Sequence, residues 1–288
     1  MKSAGALFVR DIKVFLRDPT ALALAIGSPV LIGIILLVVV RESVGQYFAV
    51  NFRGTTGNSY AVFDTWVFAG LAVVASFSAA AGVLLGFTGD RLGGRLGLYA
   101  ASPVKTWQVP AAHLAAAPTV AFVASFGVMT IGQMWALATR QPLVPFVPAL
   151  GVIIGLVVVA ILFSALSGLV VTFIRSVPAY GAYCLVGSVV AGFLAFAWWL
   201  PGSVANPSPL TDLIMLILPF APAGSLVAGP VMTPVLNTGV PAEDWTVINT
   251  AISWLVVLLW TAALAALGLW RMSLVVRPRT VRLRNPLK

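Results

Sequence analysis

Side chains that could carry out chemistry are scarce in this sequence. Its 288 residues include 8 acidic residues, a single histidine, His113, and a single cysteine, Cys184. A metal site needs three or four ligands from such residues, so the sequence predicts no metal site. Acidic residues are also absent from the centres of the long apolar segments, where ion-coupled carriers and membrane hydrolases place their carboxylates. We therefore predict no catalytic residues in this chain and a protein that is not an enzyme.

The sequence also contains no recognisable nucleotide site. A phosphate-binding P-loop has the pattern G-x-x-x-x-G-K-[ST], in which a lysine directly follows a glycine. None of the lysines in this chain follows a glycine. We therefore expect no cofactor in this chain. If ATP drives its activity, ATP and Mg²⁺ must bind to a separate partner subunit.

Composition places the chain in a membrane. Hydrophobic residues make up 60% of the sequence and charged residues only 9%, whereas a soluble domain carries about 25% charged residues. A helix of about 20 apolar residues spans a bilayer, and the long uncharged stretches do not alternate as β-barrel strands do. We predict an all-α integral membrane protein, a single transmembrane domain over 1–288. Its six transmembrane helices are expected at 19–40, 63–88, 110–136, 149–173, 178–200 and 250–270.

The distribution of basic residues predicts the orientation of these spans. If the N-terminus lies in the cytoplasm, 14 lysines and arginines fall in cytoplasmic segments and 3 fall outside. Positive charge is enriched on the cytoplasmic side of membrane proteins. We therefore predict a multi-pass protein of the plasma (inner) membrane, with both termini cytoplasmic and a basic tail at 271–288. The net charge of +9 then reflects orientation and contact with the lipid bilayer, and it does not indicate nucleic acid.

One proline-rich stretch does not fit a plain span. Residues 213–242 carry no charge but contain five prolines, and an interior proline kinks or breaks a helix. A seventh crossing here would place the basic tail outside the cell. We therefore interpret the stretch as broken, re-entrant helices that dip in from the outer face, sheltered by the rest of the protein. They belong to an outer segment at 201–249, before the last span.

The residues that precede the first span have helical spacing. Residues 3–18 are predicted to form an amphipathic interface helix in the membrane surface. Its basic face comprises Arg10, Lys13 and Arg17, and its apolar face comprises Phe8, Ile12 and Phe15. Such a helix is either a simple anchor or a docking site for a cytoplasmic partner. Taken alone, its sequence favours the anchor.

The largest predicted cytoplasmic segment between spans is 89–108, GDRLGGRLGLYAASPVKTWQ. Ser102 can cap free N–H groups and Pro103 suits a first helical turn, so the segment predicts a short helix, a break and the start of the third span. From Gly94, its order resembles the signature of type-2 ABC exporter permeases (ABC-2-type transporters), in which Gly-Thr-Leu-Glu precedes Ser/Thr-Pro and a helix. The sequences FLRDP at 15–19 and LPFAP at 218–222 resemble two further motifs of that family, so the resemblance covers nearly the whole chain.

The resemblance implies a permease subunit that exports an amphiphilic substrate, such as a drug, lipid, glycan or peptide. It implies a dimer, formed with a second copy or with a related permease, and two nucleotide-binding ATPase subunits on the cytoplasmic side. The interface helix and the segment 89–108 would then couple those ATPases to the spans. The residues expected to do so are Arg10, Arg17, Arg91, Gly94, Arg95, Tyr99, Ser102, Pro103, Lys105 and Trp107.

A few side chains within the spans are candidates for a substrate path, although packing against helices or lipid is the more common role of such residues. They are Phe122, Phe126, Gln133, Phe193 and Phe196.

The chain departs from the family pattern at charged positions. The family has several glutamates before its glycine, and here only Asp90 stands there. The glutamate after leucine is replaced by Gly97, and the basic residue ten positions after the proline is replaced by His113. Charge pairs that would hold the segment, or join it to an ATPase, are thus reduced. This implies a permease specialised for one ATPase, or one half of an unequal pair.

Two other functions remain open on the sequence alone. One is a channel or carrier that works without ATP, and the other is a membrane assembly or sensor protein that transports nothing. Transport by the purified chain alone would favour the first. A neighbouring gene that encodes a P-loop protein would favour the permease instead.

Overall fold

The protein is helical wherever its structure is described. The computed structural model describes residues 2–44, 60–100, 105, 107–141, 146–197, 218–236 and 250–276. Every regular element in these ranges is a helix, which confirms the all-α prediction. The helices are α1 (Lys2–Arg17), α2 (Pro19–Ile34), α3 (Ala61–Leu92), α4 (Leu96–Ala100), α5 (Gln108–Ala138), α6 (Phe146–Val170), α7 (Val177–Ala197), α8 (Phe220–Leu236) and α9 (Thr250–Val276).

Within the described ranges, five helices are long and apolar enough to cross a membrane. They are Pro19–Val44, Ala61–Leu92, Gln108–Ala138, Ala149–Val170 and Ala251–Val276, so α2 continues past its π-helical turn at Ile35–Val40. The prediction of a helical membrane protein is thereby confirmed. The span predicted at 178–200 falls on α7, whose apolar part is shorter, Val177–Gly192. A sixth crossing therefore stays a prediction.

Two predicted segments are described only in part. In the outer segment 201–249, the structure describes α8 and the two residues before it, and α8 has a short apolar part, Phe220–Met232. In the basic tail 271–288, only the helical end of α9 is described, and the residues from 277 onward lie outside the described ranges.

Helix α3 is the centre of the bundle. It is buried along its whole apolar length, and it packs against α2, α5, α6, α7 and α8. Small residues allow this close packing, because a Cβ added at Gly82 would lie 3.1 Å from the backbone oxygen of Ala21 in α2. Helices in lipid associate through such tight contacts, since the surrounding hydrocarbon is as apolar as the helices themselves. A movement of α3 must therefore disturb most of its neighbours.

The boundary between α1 and α2 is set by Asp18 and Pro19. The carboxylate of Asp18 accepts hydrogen bonds from the backbone N–H groups of Thr20, at 2.9 Å, and Ala21, at 3.2 Å. Pro19 occupies the first turn of α2, where its missing N–H leaves no gap in the hydrogen bonding. The Arg-Asp-Pro sequence thus ends the interface helix and starts the first span within two residues.

Loss of this cap should have a measurable effect on stability. We expect Asp18→Ala to lower the free energy of unfolding by about 1 kcal/mol, because two N–H groups at the start of α2 lose their acceptor. Asp18→Asn keeps a side-chain acceptor and serves as the matched control, with a change of a few tenths of a kcal/mol. Thermal unfolding in detergent measures both variants. Equal destabilisation by alanine and asparagine would show that the cap contributes nothing.

The interface helix packs its apolar face onto the bundle. Phe15 is buried, and Phe8 and Ile12 are half-buried, against α5 and α3. The predicted basic face is divided in the structure. Lys13 and Arg17 are exposed, whereas Arg10 is half-buried because its guanidinium turns toward two buried carboxylates.

Candidate functional site

A charged cluster joins α1 to the spans at the end of the bundle where α1 lies, which we call the inner end. Arg10 Nη2 donates to Asp11 Oδ1 at 2.7 Å and to Asp90 Oδ2 at 2.9 Å. Both carboxylates are buried and Arg10 is half-buried, so the ion pairs are partly shielded from solvent. Because Arg10 and Asp90 are 80 positions apart in the chain, this contact fixes α1 to the last turn of α3.

His113 adds the third helix to this cluster. It lies in α5, is only 2% exposed, and its Nδ1 lies 2.8 Å from Asp11 Oδ2. The two atoms are not aligned as a hydrogen bond, and neither has another hydrogen-bond partner among the described residues. The contact is therefore electrostatic, and it is attractive as an ion pair when the imidazole is protonated. The ring also packs edge-on against Phe87 of α3, with centroids 5.0 Å apart.

Charge complementarity holds this cluster together. Burial acts to lower the pKa of the Arg10 guanidinium, but hydrogen bonds and attraction from Asp11 and Asp90 outweigh it and raise that pKa above its ordinary value. Arg95 Nη1 approaches Asp90 Oδ1 at 3.6 Å, and its side chain is 72% exposed, so this ion pair is weak. We call Arg10, Asp11, Asp90 and His113 the inner junction. It ties α1, α3 and α5 together, and Arg95 reaches it from the turn after α3.

The glycines of the segment 89–108 shape that turn. Gly93 ends α3 and donates its N–H to the carbonyl of Gly89 at 2.9 Å. Gly94 has a φ of 75°, in the left-handed region that glycine adopts without a steric penalty. The chain then enters α4, where Leu96 is buried. The left-handed backbone at this turn therefore explains why a glycine stands at position 94.

The predicted coupling residues fall into different environments. Arg91 points into the protein and donates to the carbonyl of Val171 at 2.6 Å, just past the end of α6, so it joins two spans. The Arg91 side chain is half-buried, and its role in coupling to an ATPase stays a prediction. Arg17, Lys105 and Trp107 are exposed. Tyr99 lies within α4, and Ser102 and Pro103 lie outside the described residues.

An exposed surface of mixed chemistry surrounds the turn. Leu98 on α4 is 72% exposed, and Trp107, just before α5, is 57% exposed. Arg95, on the turn before α4, and Lys105, two positions before Trp107, are exposed basic residues. We call these four side chains the turn surface. Leu98 was not predicted from the sequence, although the leucines of this glycine-rich polar segment, at 92, 96 and 98, were a signal for it.

A second charged cluster lies at the opposite, outer end of the bundle. Arg41 donates to both carboxylate oxygens of Asp64 at 2.8 Å, in a bidentate pair. Trp135 Nε1 and Gln141 Nε2 donate to Oδ2 of the same carboxylate at 2.9 and 2.7 Å. Asp64 is 1% exposed, and the Arg41 guanidinium lies 4.6 Å from the centre of the Tyr60 ring. We call Arg41, Asp64, Trp135 and Gln141 the outer junction.

The outer junction was not predicted from sequence. Its partners are 23, 71 and 77 positions from Asp64 in the chain, so no local pattern joins them. The available signal was the scarcity of acids: an aspartate that opens an apolar stretch in this chain requires partners. The outer junction connects α2 and α3 with α5 and the turn after it, much as the inner junction joins α1, α3 and α5.

The predicted substrate-path residues are only partly brought together. Phe122 and Phe126 stack on one face of α5 with centroids 5.7 Å apart. Phe126 and Gln133 line an open hollow of about 190 Å³ between α5 and α6. Phe193 and Phe196 lie on α7, and their side chains are outside the described part of the structure.

In the parts of the chain that the structure describes, no group of three His, Cys, Asp or Glu side chains is placed to hold a metal ion. Comparison of the chain with protein-family models and with curated protein sequences found no match. Function must therefore be argued from the residues and their geometry.

Proposed function

We propose that this chain is the membrane permease subunit of an ATP-driven exporter, which moves an amphiphilic substrate out of the cytoplasm or the inner leaflet. The inner junction is the observation that carries the proposal. It joins a surface helix, α1, to the inner ends of α3 and α5 through buried charges. A protein that must receive a mechanical input at its cytoplasmic face needs a stiff connection of this kind. The ABC-2 resemblance of the residues around the turn supports the same function.

The turn surface is the proposed contact for the ATPase. Its exposed leucine and tryptophan offer apolar anchors, and Arg95 and Lys105 offer positive charge. A complementary partner therefore presents an apolar pocket with an acidic rim. In a dimer of permeases, each subunit would bind one ATPase that holds ATP and Mg²⁺. Both termini would lie in the cytoplasm, below the plasma (inner) membrane.

Coupling follows from the position of α3. ATP binding would draw the two ATPases together and displace α1 and the turn. The inner junction and the Arg91–Val171 contact would pass this displacement to α3, α5 and the end of α6. Because α3 is enclosed by its neighbours, its displacement would change their packing as a group. ATP would thereby shift the permease between two global states that differ in these contacts.

The contacts of α8 support a re-entrant outer segment. The ring of Phe220 stacks on Phe163 at 5.6 Å, well inside α6. Further along α8, Leu226 lies beside Gly155, and Pro230 lies beside Gly151, near the start of α6. Helix α8 thus runs antiparallel to α6, from its interior toward its outer end. An outer segment whose helix begins beside the middle of α6 and returns to the outer end of the bundle would form the second limb of a re-entrant loop.

Purification of the complex tests the proposal. We expect an affinity-tagged chain, isolated from its native membrane, to bring with it a P-loop ATPase, and the reconstituted complex to transport only with ATP. Arg95→Glu should weaken binding of that ATPase at least about tenfold, because it places a negative charge against an acidic rim. The fold should tolerate the change, since the Arg95 side chain is mostly exposed and its ion pair with Asp90 is weak.

Arg175→Glu is the matched control for that charge reversal. Arg175 is an exposed arginine on the turn between α6 and α7, at the same end of the bundle but outside the turn surface. Equal loss of ATPase binding in both variants would contradict a specific turn surface. Transport by the purified chain alone, without ATP, would overturn the exporter and support a carrier or channel.

A further inference from the structure

A long apolar groove runs along the outside of the bundle between α2 and α5. It has a volume of about 680 Å³, and its floor is formed by Leu71, Ala75 and Ala79 of α3. On α2 its lining extends from Leu22 to Val38, which is about 24 Å at 1.5 Å per residue. The hydrocarbon core of a bilayer is about 30 Å thick. The groove therefore crosses most of the membrane, and none of its lining residues is charged.

The two ends of the groove differ in charge. At the inner end it is bounded by Phe15 and Leu16 of α1. Arg17 directly follows Leu16, and Lys13 lies about one helical turn before Leu16. Both basic side chains are exposed. The nearby Asp18 carboxylate is engaged as the cap of α2. Lys13 and Arg17 do not line the groove itself: they line a separate open hollow along α1, within one helical turn of Leu16. Their long side chains are therefore the positive charges nearest in the chain to the start of the apolar lining.

At its outer end the groove meets the outer junction, in which the charges of Arg41 and Asp64 are paired with each other. Trp135 forms part of its lining, and the indole N–H donates to Asp64, whose charge is already paired with Arg41. A charged head group would find no unmatched partner in this outer junction. The combination of an apolar groove, a basic inner end and a neutral outer end therefore fits an amphiphile in one orientation, with an anionic head beside α1.

We propose that this groove is a binding site for an anionic phospholipid of the leaflet that contacts α1. One acyl chain lies along α2 and α5, and the phosphate contacts Lys13 and Arg17. The inference goes beyond the proposed export function, because such a lipid binds the permease whether or not an ATPase is present. It also names a chemical class, an anionic lipid, that the groove selects.

Gly127 offers a way to fill the groove without disturbing the fold. It lines the groove near the middle of the stretch that α5 contributes, between Val120 and Trp135. A Cβ added at Gly127 meets no atom within 4 Å, so a larger side chain has room there. Gly27 on α2 is a matched control, because a Cβ there also meets no atom within 4 Å and the residue does not line the groove.

The test uses the full chain in nanodiscs of phosphatidylcholine with a trace of phosphatidylglycerol that carries a photoreactive acyl chain. Mass spectrometry locates and counts the cross-links. We expect cross-links on groove-lining residues of α2 and α5. Gly127→Leu should reduce them about tenfold, because it displaces roughly two methylene groups of the chain. Gly27→Leu should leave them unchanged.

The head-group contact is tested with the same assay. The double variant Lys13→Gln, Arg17→Gln should reduce the preference for phosphatidylglycerol over a photoreactive phosphatidylcholine by roughly 30-fold, since each basic residue near anionic lipid contributes about one factor of five. If Gly127→Leu impairs folding, Val123→Trp fills the groove from an exposed lining position one turn earlier.

Three outcomes would overturn the proposal. One is labelling spread evenly over all membrane-facing helices. Another is equal labelling by the two lipids in the unaltered chain. The last is cross-linking of Gly127→Cys to a second copy of the chain, which would make the groove a permease–permease contact. None of these measurements requires ATP or the ATPase, so their failure leaves the export proposal to its own test.

Discussion

Asp64→Ala is expected to lower the free energy of unfolding by about 3 kcal/mol, because it breaks a buried ion pair and leaves three donor side chains without their acceptor. The carboxylate of Asp64 accepts from Arg41, Trp135 and Gln141, and the residue is 1% exposed. Denaturant or thermal unfolding in a fixed detergent measures the change. Unfolding should remain a single transition and move to a lower denaturant concentration or temperature, since the outer junction holds three spans together.

Two further variants separate the ion pair from general damage. Glu42→Ala removes an exposed carboxylate next to Arg41, and its effect should stay within about 0.5 kcal/mol. The double variant Arg41→Met, Asp64→Leu should recover part of the loss, because no buried charge is left without a partner. Trp135 and Gln141 still lack their acceptor in this variant, so recovery stays incomplete. If Asp64→Ala unfolded like the unaltered protein, the outer junction would not close the outer end of the bundle.

Asp11→Ala should release α1 from the bundle. Its carboxylate contacts both Arg10 and His113, and the residue is 5% exposed. We expect a loss of about 2 kcal/mol, because a half-buried arginine and a buried histidine each lose a charged neighbour. Hydrogen exchange of α1, Lys2–Arg17, followed by mass spectrometry, should accelerate, while exchange in α3 stays slow.

The conservative variant Asp11→Asn is the control for that experiment. An amide oxygen can still accept from Arg10 but carries no charge toward His113, so α1 should show intermediate exchange. In the reconstituted complex, Asp11→Ala should reduce ATP-driven transport more than ATPase binding, because the turn surface is intact. Unchanged exchange in α1 would show that apolar packing by Phe15 holds the helix and that the inner junction is not the connection.

Local patterns in the sequence predicted the helices well. The spacing of Phe8, Ile12 and Phe15 placed the apolar face of the first helix correctly, because that face depends only on the 3.6-residue period. The first span was correctly predicted to begin at residue 19, where α2 begins with Pro19, since a helix boundary at proline is a local signal. The lengths of the stretches without charged residues correctly identified five of the predicted spans. Such a prediction succeeds because a span needs only enough consecutive apolar residues to cross a bilayer.

Contacts between distant residues could not be predicted in this way. Arg10 was placed on a basic surface with Lys13, yet its guanidinium lies against Asp90, 80 positions away. Arg91 appeared to be a surface charge, but it donates to a carbonyl on another span. In each case helix packing brings a buried acceptor within reach, and the energy of that contact outweighs hydration of the arginine. Periodicity along one helix contains no information about such an acceptor.

The enclosure of α3 has a consequence for how the chain is made. Helix α3 emerges from the ribosome before α5, α6, α7 and α8, which later surround it together with α2. Its apolar residues must therefore be stable in lipid first, and its mean hydropathy of 2.1 allows this. Later the same residues must exchange lipid for helix contacts, and the buried hydroxyls of Ser78 and Ser188 meet at 2.8 Å only then. A chain that stops after α5 should thus insert into the membrane but remain exposed to quality-control proteases, because its central helix still lacks most of its neighbours.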